Sequence, residues 1–313
     1  MRILKYLFWI TRVLKHHTLS NIQQEFESIA QTIPYNTIQY KNITITIKRL
    51  DQIHPAISGN KFFKLKYNMT QAKHEGYSGV LSFGGAYSNH IAATAYAANY
   101  FGFNSIGVIR GEELQHKTLN PTLALAEQLG MSFSFISREA YKLRNQPDFL
   151  QQLQARYPNY YIIPEGGTNQ LAISGCKEIL TPSDLQNYQT ICCAVGTAGT
   201  ISGLIESSTH TQHILGFSAL KGDFLNQDIQ KYTSKTNWTL LDDYCCGGYA
   251  KMPPELIEFI RSFEKEYGIL LEQIYTGKML MGIFDLIDQK KLTNSSRILV
   301  IHSGGLQGRS PFI

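Results

Sequence analysis

From Ile43 onward the sequence repeats one pattern: a short apolar run, then a longer segment with helical spacing. ITITIKRL alternates polar and apolar residues and reads as a strand. GVLSFG precedes SNHIAATAYAANYFG, NSIGVIRG precedes PTLALAEQLG, and MSFSFIS precedes a polar helical stretch ending near Arg156. YYIIPEGG leads into LAISGCKEIL, TICCAVG into TISGLIESS, and HILGFSAL into a helix from about Gly222. PPELIEFIRSFEKEYG and KMLMGIFDLIDQKK are amphipathic helices, and SRILVIHSGG is a buried strand. Strands this apolar, separated by helices, belong in an α/β fold of mostly parallel open sheets covered by helices.

A chain of 313 residues suits two such domains. No linker, repeat or low-complexity tract marks a boundary between them. Only 17% of residues are charged, against roughly 25% in ordinary domains, so much of the chain must be buried. The net charge of +5 is too small and too dispersed to favour nucleic acid. No run of about 18 apolar residues occurs, so no transmembrane segment is expected. The start, MRILKYLFWITRVLKHH, is basic and apolar like the front of a signal peptide, but its unbroken apolar core is only residues 6–10. A secretory core needs about 7–15 such residues. A helix packed on its own protein is expected instead, with an amphipathic helix on a membrane or another subunit as the alternative.

The five cysteines are Cys176, Cys192, Cys193, Cys245 and Cys246. An odd count in a long chain points to reduced thiols and a cytoplasmic protein. Adjacent cysteines point apart in a strand, and no ligand pair with two-residue spacing occurs, so no metal is expected.

In open parallel sheets ligands bind beyond the C-terminal strand ends. Three such ends carry small or glycine-rich loops: SFGGAYSNH, AVGTAGTISG and IHSGGLQG. In AVGTAGTISG, Gly196 and Gly199 let successive N–H groups converge at a helix start, which makes a phosphate cradle. It is neither a Walker loop nor the triple glycine of dinucleotide binders, and a ligand-free turn is the alternative. In SFGGAYSNHIAATAYAA, Ser88 or Asn89 either caps the helix or serves a ligand carboxylate.

SGNKFFKLKYN places three lysines close together. Phe62, Leu65, Met69 and Ala72 fall at helical spacing and form a buried stripe. Lys61 stands in the first turn beside that stripe, whereas Lys64 and Lys66 are expected nearer solvent. An amine held against apolar walls has a lowered pKa and becomes a nucleophile toward an aldehyde. A phosphate cradle and a reactive lysine together suggest pyridoxal 5′-phosphate.

The sequence resembles the fold-type II pyridoxal-phosphate enzymes, tryptophan synthase β-like in fold. Within them it is similar to the D-cysteine desulfhydrase/1-aminocyclopropane-1-carboxylate deaminase family. The resemblance is carried by SGNKFFKLKYN, FGGAYSNHIAATAYAA, IPEGGTNQLAISG, AVGTAGTISGL, GGYAKMPPELIEFI, YTGKMLMGIFDLI and IHSGGLQG. These run in the family's order from about residue 40 to the C-terminus, and residues 1–18 lie outside them. The resemblance implies a smaller domain, residues 64–165, that receives the substrate carboxylate, set into a larger cofactor-binding domain of residues 1–63 and 166–313. It makes Lys61 the lysine that carries the cofactor and Lys64 a supporting one. Ser88, Asn89 and His90 match the carboxylate loop, with Asn89 also near the cofactor ring. Val195, Gly196, Thr197, Ala198, Gly199 and Thr200 match the phosphate loop, and Tyr249 and Tyr275 match two catalytic tyrosines. A homodimer is also implied.

Two departures matter. At KRLD, residues 48–51, relatives carry Arg-Asp-Asp, so Leu50 changes packing near the site. The deaminases carry Glu where Thr276 stands and Leu where Ser303 stands, whereas the desulfhydrases resemble this chain at both positions. A carboxylate at the pyridine nitrogen makes a stronger electron sink than a hydroxyl does. The hydroxyl pattern therefore implies β-elimination of hydrogen sulfide from D-cysteine, giving pyruvate and ammonia. Deamination of the cyclopropane amino acid is the alternative, and a non-catalytic cofactor-binding protein a second one.

Overall fold

A computed structural model describes residues 22–313. The basic apolar start lies outside the described residues. Ten strands form two sheets. They are β1 (Tyr35–Tyr40), β2 (Ile43–Arg49), β3 (Gly79–Gly84), β4 (Asn104–Arg110), β5 (Met131–Ile136), β6 (Tyr160–Ile163), β7 (Thr190–Val195), β8 (His213–Ser218), β9 (Trp238–Leu241) and β10 (Ile298–His302). The six-stranded sheet runs β1-β2-β10-β7-β8-β9 and the four-stranded sheet β5-β4-β3-β6. Only β1 pairs antiparallel, with β2; every other ladder is parallel.

The sequence pattern passes over β1 and β9, the two edges of the larger sheet. An edge strand has one neighbour and a half-wet face, so its residues need not be apolar. In β1 only Ile38 is buried, and no residue of β9 is.

The lysine helix, Asn60–His74, lies between the sheets. Phe62, Leu65, Met69 and Ala72 are all buried in one cluster, with Val80 and Ile163 from the smaller sheet and Ile191, Val195 and Ile301 from the larger. The opposite face of the larger sheet packs Ile47, Phe217 and Val300 against helices Pro254–Tyr267 and Thr276–Asp288. Cys192 belongs to that second cluster and Cys193 to the first, so adjacent thiols face opposite sides of β7.

The expectation of solvated Lys64 and Lys66 does not hold, since they are only 1% and 5% exposed. The helix is covered on more than one face, and each amine has partners. Lys66 pairs with Glu27 at 3.0 Å and Glu178 at 2.9 Å. Leu50 is likewise fully buried. Asp51 after it binds Arg49 at 2.6 Å and contacts His302 Nδ1 at 3.2 Å.

Candidate active site

The C-terminal ends of β3, β4, β6, β7 and β10 open onto one cleft of about 720 Å³. Lys61, Ser88, Asn89, His90, Gly196, Thr197, Thr200, Tyr249, Tyr275 and Ser303 line it. Residues far apart in sequence meet there because each follows a parallel strand or begins the next helix.

Gly59 makes the first junction. Its φ is +68°, and a Cβ there would drive into the Ser303 carbonyl. Asn60 N–H donates to that same carbonyl at 3.1 Å, which fastens the start of the lysine helix to the end of β10. Asn60 also donates from Nδ2 to Thr200 Oγ1 at 2.8 Å, while its Oδ1 accepts from Lys61 Nζ at 3.0 Å. Burial, reinforced by the Lys64 charge, lowers the Lys61 pKa to about 7. The amine thus spends much of its time neutral near pH 7, in the form that attacks a carbonyl.

Lys64 is arranged differently. Its Nζ donates to Gly166 O at 2.8 Å, Thr197 Oγ1 at 3.1 Å and Thr168 Oγ1 at 3.2 Å. Three acceptors engage all three protons of an ammonium. Burial lowers its pKa to about 8.

Helix Ala198–Ser207 begins at the end of β7 and has no side-chain cap. Thr197, at its N-cap, has its hydroxyl taken by Lys64 and Thr168. The first N–H groups are left for an anion, with Gly196, Thr197 and Thr200 on the cleft wall. Val195 and Ala198 are buried and have only backbone to offer, and Gly199 sits so close to Thr168 Oγ1 and Lys64 Nζ that a Cβ would crowd both.

Ser88 Oγ accepts from Ile91 N–H at 3.3 Å, a long cap bond, and also faces the cleft. Asn89 Oδ1 accepts from Gln307 Nε2 at 2.6 Å. His90 Nε2 lies 2.8 Å from Ser82 Oγ, whose single proton goes to Ile163 O at 2.9 Å. Nε2 must therefore be the N–H donor, and Nδ1, which is buried without a partner, presents a lone pair. Burial and both lysines keep this imidazole's pKa well below its usual value.

Tyr275 Oη donates to Tyr249 Oη at 3.2 Å, with the rings edge-to-face at 5.9 Å. Burial raises both pKa values, but the donated bond opposes the rise in Tyr249. Lys278, from the same YTGK segment as Tyr275, donates to Cys245 O at 2.8 Å, Gly248 O at 2.7 Å and Tyr249 O at 3.2 Å, clamping the GGYA loop.

Thr276 is not brought to the cleft wall. It is fully buried, and its hydroxyl lies 3.2 Å from Glu272 Oε1 and accepts from Glu272 N–H at 3.0 Å. Glu272, unnoticed in the sequence, caps helix Thr276–Asp288 by accepting from Ile274, Tyr275 and Thr276 N–H at 2.6–2.7 Å. An acid four residues ahead of the helix start was the available signal. Arg110, Tyr141, Lys142, Arg144 and Glu165, also on the wall, were likewise missed because each reads as an ordinary surface residue.

This chain matches the pyridoxal-phosphate dependent enzyme family over residues 31–304. It belongs to that family. Within it, the chain falls in the 1-aminocyclopropane-1-carboxylate deaminase/D-cysteine desulfhydrase group. It is 30% identical over 285 residues, 84% of this chain and 89% of the relative, to a Thermotoga maritima protein provisionally named 1-aminocyclopropane-1-carboxylate deaminase. It is 28% identical over 290 residues, 84% of this chain and 72% of the relative, to an Arabidopsis thaliana mitochondrial protein. That one is named bifunctional D-cysteine desulfhydrase/1-aminocyclopropane-1-carboxylate deaminase. The crystal structure of an ACC deaminase homologue matches with a TM-score of 0.79 at 24% identity, covering 93% of this chain and 96% of its own.

The cofactor is pyridoxal phosphate, and the cleft fits it. An uncapped helix start suits the phosphate, and an amine with one partner suits the aldehyde. No helix among the described residues is long and apolar enough to cross a membrane.

Proposed function

We propose that this enzyme is a lyase that expels the β-substituent of a small amino acid, with D-cysteine as substrate and hydrogen sulfide, pyruvate and ammonia as products. The reading is carried by the Lys61 amine, lowered to a pKa of about 7, beside an uncapped helix start and the paired tyrosines. Bound pyridoxal phosphate withdraws electrons from the α-carbon of an attached amino acid, so that its proton is lost and a β-substituent can leave.

Lys61 holds the cofactor and, once the substrate amine takes its place, is the base at the α-carbon. The backbone N–H groups of Gly196 to Thr200 would hold the phosphate, while Lys64 and Thr168 fix the Thr197 hydroxyl and Asn60 that of Thr200 beside them. Ser88 and Asn89 receive the substrate carboxylate. His90, with only a lone pair to offer, receives an N–H or O–H instead. Tyr249, made the easier of the two tyrosines to ionise by the bond from Tyr275, exchanges a proton at the departing group. Ser303, on the cleft wall, would meet the cofactor's pyridine ring, and Thr276, buried against Glu272, would act on it only indirectly.

Lys64 is the rival for cofactor attachment, being the more buried lysine, but its three acceptors leave its amine no freedom to attack. Borohydride reduction of the holoenzyme followed by peptide mass analysis should place the pyridoxyl group on Lys61; finding it on Lys64 reverses the two roles. The deaminase reading is supported by the names of the relatives. Pyruvate release from D-cysteine, L-cysteine and the cyclopropane amino acid decides between them, and a protein that holds the cofactor but releases pyruvate from none is a binder only.

A smaller domain of residues 64–165 is supported by the smaller sheet, whose strands all fall between Gly79 and Ile163. A reducing, cytoplasmic setting is supported by five free thiols. The homodimer rests on resemblance, and sedimentation equilibrium tests it.

A further inference from the structure

Part of the cleft wall is basic. Arg110, Arg138, Lys142 and Arg144 all line it. The nearby acids are already engaged. Glu165 accepts from Tyr141 Oη and from Arg144 Nε, each at 2.6 Å, and Glu113 pairs with Arg138 at 2.6 Å. Among the described residues, that leaves Arg110 and Lys142 without a carboxylate.

Arg110 is the better placed of the two. It ends β4, and β4 pairs with β3, whose own end leads into the Gly85–Ser88 loop. A Cβ on Gly85 would lie 3.6 Å from an Arg110 Nη, so the guanidinium rests on that loop. The Tyr141 ring supports it, with the guanidinium carbon 5.8 Å from the ring centroid and Arg144 at 4.9 Å over the same ring. Its charge reaches Tyr249 and opposes part of the rise that burial gives that tyrosine's pKa. A guanidinium braced on an aromatic ring, lacking an acid and facing a cleft is arranged to bind an oxyanion.

We infer that this cleft has a second anion site, centred on Arg110 and assisted by Lys142, which takes negative charge on the β-substituent of the substrate. The inference rests on the lyase reading and names its substrate class: amino acids whose β-substituent is a phosphate, a sulfonate or a thiosulfonate. With such a substrate the α-proton goes to the base, and the Cβ–O or Cβ–S electron pair leaves with the anion. Water then hydrolyses the released unsaturated amine to pyruvate and ammonia. No oxidant or reductant is needed. With D-cysteine the same charge would face the departing hydrosulfide.

The test compares O-phosphoserine and S-sulfocysteine with neutral β-chloroalanine, each as D and L forms, in pyruvate release by the holoenzyme. The ratio of kcat/KM for anionic over neutral substrates should fall at least about tenfold in Arg110→Gln, the size of a lost charge-assisted bond. Arg110→Lys should restore part of it. Raising NaCl from 20 to 200 mM, which shortens the Debye length from about 20 Å to about 7 Å, should lower the same ratio. Calorimetry on the holoenzyme should show O-phosphoserine binding more tightly than serine, with the difference lost in Arg110→Gln. An unchanged ratio, or equal affinities for O-phosphoserine and serine, overturns the site. If no amino acid yields pyruvate, the lyase reading falls, and the calorimetric comparison still decides the anion site.

Discussion

Lys61 and Lys64 lie in one turn, yet their surroundings give them separate tasks. Lys64 is spent on holding the Glu165–Thr168 loop to Thr197 beyond the end of β7, while Lys61 keeps one hydrogen bond, to Asn60. Both folded-state pKa values, about 7 and about 8, lie below the roughly 10.4 of an unfolded lysine. Between those limits the unfolded chain binds more protons, so stability rises with pH. From pH 7 to pH 9.5 the thermal midpoint of the cofactor-free protein should therefore gain relative to that of Lys61→Met, while the buried thiols Cys176, Cys192 and Cys193, whose pKa values burial raises, pull the other way in both proteins. Parallel profiles for the two proteins would show that burial does not shift the Lys61 amine. Ser88 has a smaller structural stake. Its cap bond of 3.3 Å is long, so Ser88→Ala should cost under about 1 kcal/mol while lowering turnover with cofactor retained. Loss of stability alone would make Ser88 a cap and nothing more.

The start of helix Thr276–Asp288 ties together several parts of the cleft. Glu272 caps it, Tyr275 precedes it, and Lys278 in its first turn holds the GGYA loop that carries Tyr249. Lys278→Met should release that loop and lower kcat more than cofactor affinity, which absorbance titration with pyridoxal phosphate would measure. The substrate-switching pair, Thr276→Glu with Ser303→Leu, should move preference from D-cysteine toward the cyclopropane amino acid, read as the ratio of pyruvate rates. The structure adds a condition: the new carboxylate at 276 would sit against Glu272, 3.2 Å from the present hydroxyl. Like charges in a buried setting are costly, so the double variant should melt several degrees lower and regain stability when Glu272→Gln is added. Likewise, a Cβ at Gly196 would strike the Tyr275 ring. Gly196→Val should therefore disturb Tyr275 as well as the phosphate loop.

Over the whole molecule, the cleft joins groups from both sheets, so ligand and fold are coupled. Pyridoxal phosphate bridging the Ala198–Ser207 helix start and the lysine helix should stabilise the chain, by about 2.7 kcal/mol at a hundredfold excess over Kd. Stripping the cofactor should lower the melting temperature accordingly, and re-addition should restore it. The α/β class and the central strands were legible in the sequence, because a strand buried on both faces must be apolar throughout. β3 falls on GVLSFG for that reason. So was the placing of AVGTAGTISG between a strand and a helix, since glycines there let the chain turn tightly. The tertiary structure alone decided the rest. Edge strands β1 and β9 carry no strong pattern because half their surface is wet. The burial of Lys64, the tautomer of His90 and the carboxylate of Glu272 depend on atoms more than a strand away, and spacing along the chain holds no information about them. Whether Arg110 is one more solvated charge or a ligand's partner depends on which acids lie within reach, and that is settled only when β3, β4 and β6 are brought side by side.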